Sequence, residues 1–382
     1  MNSHYNFETI AVHAGSEPDP TTGAVMVPIY QTSTYAQPDV AQHKGYEYSR
    51  TDNPTRTALQ TALAALEGGQ HGLAFASGMA AIDTVLRLLR PGDHVVSGDD
   101  VYGGTFRLFD KVLAPTGIEF SFVDTTDETA VSAAMRPETK LVWLETPTNP
   151  MLRISDIGAI AKITQAHGAW LGVDNTFASP ALQRPLSLGA DIVVHSTTKY
   201  IGGHSDVVGG AIIVNDTAVY EQLKFLQNAI GAVPAPLDCF LTLRGIKTLS
   251  LRMATHCHNA TQVAHYLADH PAVTEIIYPG LDSHPQHEIA QRQMRGPGGM
   301  ISFIMKDGEA AARVVARETE LFTLAESLGG IESLIELPAP MTHASVADSP
   351  LAIDPGLVRI SVGIENVDDL IMDLGQALAK AA

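Results

Sequence analysis

The chain has 382 residues, enough for two to three domains of about 150 residues each. Hydrophobic residues make up 45% and charged residues 17%, a globular composition that excludes a disordered, collagen-like or coiled-coil architecture. The formal net charge of −18 disfavours nucleic acid and anionic membrane surfaces as partners, because an acidic surface repels both.

The sequence predicts neither a membrane span nor a secretory leader. No apolar run reaches about 18 residues, and residues 1–19 lack a basic segment followed by an apolar core. The two cysteines, Cys239 and Cys257, are too few for a disulfide framework. We therefore expect a reducing, cytoplasmic location.

Residues 1–54 are predicted to form an irregular N-terminal arm, because turn-forming residues interrupt any periodicity. A helix is predicted from about Thr55, with Leu59 and Leu63 on one face, and it ends at Gly68. The arm therefore leads directly into the first regular element.

Short apolar segments then alternate with stretches of helix length, such as Ile154–His167. The strand candidates are Gly72–Ala76, His94–Ser97, Glu119–Val123, Leu141–Glu145, Trp170–Asp174, Ile192–His195 and Ala211–Val214. This alternation predicts a large α/β domain over residues 55–237, in which helices cover both faces of a mostly parallel central sheet.

The stretch Gly231–Pro236 breaks the alternation, and a smaller α+β domain is predicted over residues 238–382. Its predicted elements are a long helix at about Asp238–Asp269, strands near Met300–Met305 and Val358–Gly363, and a final helix near Val367–Ala379.

Several common site motifs are missing. There is no G-x-x-x-x-G-K-[ST], and no G-x-G-x-x-G follows the first strand, which disfavours Walker-type and nicotinamide sites. His256 and His258 are two residues apart in a predicted helix, so their imidazoles point to different faces. No metal site is predicted.

The segment from His195 to Asp206 carries the most informative pattern. Lys199 follows an apolar strand, at the kind of strand end where ligands bind in α/β sheets. A lysine in this position is either a surface residue in a salt bridge or a Schiff-base nucleophile. Ser196 and Thr198 flank it with hydroxyl groups that suit phosphate oxygens.

Two other strand ends carry residues that fit a phosphorylated pyridine. Asp174 ends an apolar strand, and a carboxylate buried there needs a cationic partner such as the protonated ring nitrogen of pyridoxal phosphate. Ser77 is a good helix N-cap, and Gly78 permits close approach of the backbone, so the next helix would offer N–H groups to phosphate. An ordinary strand–helix turn is the alternative for Ser77 and Gly78.

Several separate motifs agree along the chain: Tyr48–Thr55, Ser77–Met79, Asp100–Thr105, Glu145–Pro150, Val173–Thr176, Ser196–Lys199 and Arg359–Gly363. Together they resemble the cysteine/methionine-metabolism family of pyridoxal-phosphate-dependent enzymes, over roughly residues 9–379. The resemblance implies an α/β fold of the PLP-dependent transferase fold type I, similar to aspartate aminotransferase.

The resemblance implies catalytic roles for Lys199, Tyr102 and Asp174. Lys199 would hold pyridoxal 5'-phosphate covalently and move protons on the substrate, Asp174 would pair with the pyridine nitrogen, and Tyr102 would stack on the ring. The implied cofactor-binding set is Tyr48, Arg50, Ser77, Gly78, Met79, Tyr102, Asp174, Thr176, Ser196, Thr198 and Lys199.

The resemblance also implies a substrate site and an oligomer. Arg359 would clamp the α-carboxylate of an amino acid, and the implied substrate-binding set is Glu47, Arg107, Asn149, Glu326, Ser327 and Arg359. Tyr48 and Arg50 would reach the phosphate of a neighbouring subunit, which implies a homotetramer built from two dimers.

Family members differ in the carbon at which they react. Glu326 and Glu47 resemble members that act at the γ-carbon, since an acid suits a distal ammonium group. The absence of an aromatic residue beside Glu326 disfavours cystathionine β-lyase activity, and Gly104 disfavours methionine γ-lyase activity. The stretch Glu336–Ser345 resembles the lyases. We therefore expect α,γ-elimination of cystathionine to cysteine, 2-oxobutanoate and ammonia, with γ-replacement of O-acylhomoserine by cysteine as the alternative.

Overall fold

The computed structural model describes residues 5–342 and 352–381. Its larger sheet is built from β1 His71–Phe75, β2 His94–Gly98, β3 Glu119–Val123, β4 Thr139–Glu145, β5 Trp170–Asp174, β6 Ile192–Ser196 and β7 Gly210–Val214. The strand order is β1-β7-β6-β5-β4-β2-β3. β7 runs antiparallel to the other six strands, which are parallel to one another, so the prediction of a mostly parallel sheet is confirmed.

Helices cover both faces of this sheet, whose central strands are buried. The helices in this part of the chain are α1 Phe7–His13, α2 Pro54–Glu67, α3 Gly78–Leu86, α4 Gly103–Arg107, α5 Glu128–Ala134, α6 Ile157–His167, α7 Ser179–Leu182 and α8 Thr217–Ile230. Leu144 and Val173 pack in the core on the side of α2 and α6, whereas Trp143 and Val194 pack in the core on the side of α3.

A second sheet follows in the chain, in the strand order β10-β11-β12-β9-β8. Its strands are β8 Val273–Ile277, β9 Met300–Met305, β10 Thr323–Leu324, β11 Leu334–Glu336 and β12 Leu357–Ser361. The remaining helices are α9 Pro236–Ile246, α10 Leu249–Ala268, α11 His287–Gln293, α12 Gly308–Glu318, α13 Pro338–Met341 and α14 Val367–Ala381. The domain boundaries at residues 54 and 237 stay predictions.

Two expectations about helices are wrong. The arm contains α1, whose Phe7 and Ala11 are buried against the core that includes α2. The helix expected at 238–269 is two helices, and the side chain of Arg252 on the second donates to the carbonyl of Gly245 on the first at 2.8 Å. Arg252 also donates to the carbonyl of Tyr200 at 2.6 Å, so its side chain connects both helices to the segment that follows β6.

Candidate active site

A cleft of about 280 Å³ lies at the carboxyl ends of β4, β5 and β6, where it is closed by residues of the second sheet. Most predicted site residues line it: Ser77, Gly78, Met79, Tyr102, Asn149, Asp174, Thr176, Ser196, Thr198, Lys199, Glu326, Ser327 and Arg359. Lining residues that carried no predicted role are Ile82, Glu145, Phe177, Val208, Leu328 and Thr342.

Lys199 lies in the turn that follows β6, with its ammonium group inside the cleft. Its Nζ donates a hydrogen bond to Oγ of Ser327 at 2.7 Å. Burial, and next the positive charge of Arg359, lower the pKa of Lys199 to about 8. An amine with this pKa loses its proton near pH 8, well below the usual range of lysine, and can then accept one from a substrate.

Asp174 ends β5 and is buried at the base of the cleft. One of its oxygens, Oδ1, accepts hydrogen bonds from the backbone N–H of Thr176 at 3.0 Å and from the Thr176 hydroxyl at 2.5 Å. Burial raises the pKa of Asp174, and the two contacts from Thr176 oppose that rise. A cation placed beside this carboxylate would offset its desolvation.

Glu145 is a second buried acid beside Asp174. The two residues end neighbouring parallel strands and are paired in register. Burial, and next the charge of Asp174, raise the pKa of Glu145 well above its usual value. Glu145 accepts the backbone N–H of Tyr102 at 3.0 Å, so it fixes the start of the turn that carries the Tyr102 ring. Because both acids end adjacent predicted strands, the sequence did hold a signal for this pair.

Ser77, Gly78, Ser196 and Thr198 line another part of the same cleft and form a small cradle. Ser77 caps α3 by accepting the N–H of Ala80 at 3.0 Å, which confirms its predicted capping role. A Cβ at position 78 would come within 2.8 Å of the Ser196 Cβ, so only glycine leaves this gap between α3 and β6 open. Thr198 exchanges hydrogen bonds with the backbone of Gly209, which fixes the turn on the other side.

Arg359 lies on β12 and is buried in the wall of the cleft. Its Nη1 donates to Oδ1 of Asn149 at 2.7 Å, and its Nη2 donates to the carbonyl of Ser327 at 3.0 Å. Nη2 also lies 3.0 Å from Oε1 of Glu336, a buried acid that had no predicted role. Ser327 has a φ of 101°, a left-handed conformation that is costly for a residue with a side chain.

Four predicted residues do not line the cleft of this chain: Glu47, Tyr48, Arg50 and Arg107. Arg50 donates to the side-chain oxygen of Asn228 at 3.0 Å and lies 5.5 Å from the centre of the Tyr48 ring. Arg107 is exposed at the end of α4. Roles for Tyr48 and Arg50 in a neighbouring subunit stay predictions.

The described residues contain no cluster of His, Cys, Asp and Glu side chains that could hold a metal ion. His256 donates from Nδ1 to the carbonyl of Val362 at 2.7 Å. Among the helices of the described ranges, none is long and apolar enough to cross a bilayer. Residues 343–345 of the Glu336–Ser345 stretch lie outside the described residues.

The donor set fits pyridoxal phosphate. The capped N-terminus of α3 and the gap at Gly78 suit a phosphate group, and an amine is held inside the cleft at Lys199. The buried Asp174 suits a protonated ring nitrogen, and the partly exposed Tyr102 ring offers an aromatic face.

Comparison with known proteins agrees with this reading of the site. The family model described as Cys/Met metabolism PLP-dependent enzyme matches residues 8–379. The chain is 60% identical to cystathionine gamma-synthase of Mycobacterium tuberculosis, over 97% of this chain and 96% of that protein. It is 55% identical to cystathionine beta-lyase of Coxiella burnetii, over 99% of both chains.

Two solved structures are also similar. The metB protein of Corynebacterium glutamicum superposes with a TM-score of 0.98, at 52% identity over 99% of both chains. The cystathionine gamma-lyase of Lactobacillus plantarum, complexed with L-serine, superposes with a TM-score of 0.95 at 50% identity, over 98% of this chain and 99% of that one. The expected fold type and cofactor are thereby confirmed. The chain belongs to the family of pyridoxal-phosphate-dependent enzymes of cysteine and methionine metabolism.

Proposed function

We propose that the protein is a cystathionine γ-synthase, which replaces the acyloxy group on the γ-carbon of an O-acylhomoserine with the thiol sulfur of cysteine. The 60% identity to the M. tuberculosis cystathionine gamma-synthase, over nearly the whole of both chains, carries this choice. Elimination of cystathionine, which the residues alone favoured, becomes the second candidate. It is supported by Glu326 at the cleft and by the similarity to the L. plantarum gamma-lyase.

The proposed cofactor site uses residues that the cleft brings together. When bound, pyridoxal phosphate supplies an electron sink that makes the protons on the α- and β-carbons of an amino acid acidic. Lys199 would anchor the cofactor, Asp174 would stabilise its ring nitrogen, and Tyr102 would offer an aromatic face to the ring. Gly78, Met79, Ser196 and Thr198 would bind the phosphate, Ser77 would cap the helix that faces it, and Thr176 would hold Asp174 in place.

Lys199 is proposed to move the protons. Its pKa of about 8 leaves a substantial neutral fraction at physiological pH, so the freed Nζ can accept the α-proton. The Ser327 hydroxyl, 2.7 Å from Nζ, holds the amine in place between transfers. A fixed amine that serves two adjacent carbons is sufficient for departure of a group from the γ-carbon.

Arg359 is proposed to bind the α-carboxylate of the substrate. The side chain of Asn149 fixes one end of the guanidinium, so the group faces the cleft in a single orientation. Glu326 is exposed at the cleft, where it can attract a distal ammonium group. Tyr48 and Arg50, with Glu47 beside them in the arm, would complete the site from a neighbouring subunit of a homotetramer. Arg107 is the candidate for contact with the distal part of the substrate.

A paired assay tests the choice between the two reactions. In one vessel the holoenzyme receives an O-acylhomoserine and cysteine, and in the other it receives cystathionine alone. We expect faster formation of cystathionine in the first than of 2-oxobutanoate in the second. The reverse order would replace the synthase proposal with the lyase, and no turnover in either vessel would refute both.

A further inference from the structure

A buried polar cluster lies on the face of the larger sheet that α2 covers. Glu67 is the last residue of α2 and is 1% exposed. Its Oε1 accepts the side-chain N–H of Asn175 at 2.9 Å and lies 2.5 Å from Nε2 of His195, and both of these residues are also buried. One carboxylate oxygen therefore joins the segment that follows β5 to the end of β6.

The two residues that Glu67 contacts adjoin two proposed cofactor contacts. Asn175 directly follows Asp174, which is proposed to face the ring nitrogen. His195 directly precedes Ser196, which is proposed to bind the phosphate. The contacts of Glu67 therefore connect the two backbone segments that would hold opposite ends of the cofactor.

Glu67 reaches these segments from the side of the sheet opposite the cleft. Successive side chains of a strand alternate between its two faces. Val193 packs in the core on the side of α2, whereas Val194 packs in the core on the side of α3. His195 consequently lies on the side of α2, and Ser196 lies on the side of the cleft. Glu67 thus acts on the proposed cofactor contacts only through the backbone beside them.

His195 and Asn175 depend on Glu67 to different degrees. Among the described residues, Nδ1 of His195 has no hydrogen-bond partner, so the contact with Glu67 is what fixes its ring. Asn175 has a second partner, because its side chain exchanges hydrogen bonds with Gln183 at 2.8 Å and 3.0 Å. Removal of the carboxylate would leave buried N–H groups of both residues without this acceptor, which is costly inside a protein.

We propose that Glu67 is a positioning residue for the cofactor site: through Asn175 and His195 it holds the Asp174 carboxylate and the Ser196 hydroxyl in fixed positions relative to each other. The proposal rests on the proposed contacts of Asp174 and Ser196 with the cofactor. It is independent of which γ-reaction the protein catalyses.

The test measures the bound cofactor rather than turnover. Equilibrium dialysis of the apoprotein gives the dissociation constant of pyridoxal phosphate, and visible circular dichroism of the holoenzyme reports how the cofactor ring is held. Glu67→Ala should raise the dissociation constant about tenfold and weaken the dichroism, because two buried donors lose their acceptor. Glu67→Gln keeps an accepting oxygen and should stay within about threefold of the wild type.

Two further variants make the result specific. Asp373 is a buried acid of α14 that accepts the backbone N–H groups of residues 320, 321 and 322, and it does not line the cleft. Asp373→Ala should lower the urea midpoint, as Glu67→Ala does, with an unchanged dissociation constant and dichroism. His195→Ala removes one of the two contacts and should raise the dissociation constant about threefold, which covers the case in which Glu67→Ala does not fold.

Three results would overturn the positioning role. The first is an unchanged dissociation constant and dichroism in Glu67→Ala, or in His195→Ala if Glu67→Ala does not fold. The second is an equal change of both quantities in Asp373→Ala, and the third is a loss in Glu67→Gln as large as that in Glu67→Ala.

Asp174→Ala tests the contact on which the proposal rests. If it leaves the dissociation constant unchanged, the proposed cofactor site fails and the role of Glu67 fails with it. If Asp174→Ala weakens binding and Glu67→Ala does not, only the role of Glu67 fails. Because no substrate is present, neither result depends on the paired assay.

Discussion

Burial gives Lys199 both a lowered pKa and a fixed position in the cleft. The same desolvation that lowers its pKa places Nζ within the cleft, 2.7 Å from the Ser327 hydroxyl. The sequence identified this lysine through its neighbours, but the contact with Ser327 joins positions far apart in the chain. A single strand–turn pattern therefore predicts which residue reacts, and the tertiary packing decides how it is held.

The lowered pKa of Lys199 predicts a pH dependence. Below about pH 8 the free amine is protonated and cannot accept the α-proton, so kcat should fall by up to tenfold for each unit of pH. Steady-state turnover of the preferred substrate between about pH 6 and 9 measures this acid limb of the pH profile.

Lys199→Ala should abolish turnover with an unchanged circular dichroism spectrum, and appreciable residual activity would contradict the assignment.

Gly104 sets the position of the Tyr102 ring. A Cβ at residue 104 would lie 2.4 Å from Cε1 of Tyr102, so Gly104→Ala must push the ring aside. Overpacking of this kind costs about 1–3 kcal/mol, and we expect cofactor affinity to fall roughly tenfold. Gly158→Ala is the matched control, since its nearest contact would be 3.5 Å away. Equal cofactor dissociation constants for both variants, measured by equilibrium dialysis, would show that ring position does not matter.

Two buried acids of the site had no predicted role. For Glu145 the shared strand end signalled that it lies near Asp174, but a run of apolar residues hides whether its side chain points to the core or the cleft. Glu336 is missed for a different reason. Its partner Arg359 is brought to it by strand register, and nothing local encodes that register when the connection is long.

At the scale of elements, the strands of the larger sheet were predictable because they are short, buried and bounded by turn residues. Trp170–Asp174 and Glu119–Val123 agree at both ends. The break between α9 and α10 was missed, and the contact of Arg252 with the carbonyl of Tyr200 that accompanies it joins positions far apart in the chain. The short strands β10 and β11 were missed since two or three residues carry no periodic signal.

The start of α2 allows a test of how local structure supports the molecule. Asn53 accepts the N–H of Thr55 at 2.9 Å and donates to the carbonyl of Tyr30 at 2.9 Å, which joins the arm to the helix. Asn53→Ala should lower the free energy of unfolding by about 2 kcal/mol. Asp127→Ala, which removes a cap on the exposed start of α5, should cost less than about 1 kcal/mol. Urea denaturation measures both, and equal losses would show that the link to the arm contributes nothing.

At the scale of the whole molecule, the proposed sharing of sites between subunits can be tested by mixing variants. Arg50→Ala and Lys199→Ala should each be inactive alone. In a hybrid dimer one site would combine the intact Lys199 of one subunit with the intact Arg50 of its partner. After dissociation and random reassembly, about a quarter of wild-type activity should return. No recovery would mean that both residues act within one subunit.

The reversed direction of β7 has a consequence for the reactive amine. Ser196 at the end of β6 is paired with Gly210 at the start of β7, so the loop that bears Lys199 leaves and re-enters the sheet at adjacent points. Arg252, on α10, donates a hydrogen bond to the carbonyl of Tyr200 within this loop. The amide hydrogens of Gly202 and Gly203, which bond to the carbonyls of Thr197 and Lys199, should consequently exchange with solvent more slowly than those of the exposed Ser205 and Asp206, because both ends of the loop are fixed to the sheet.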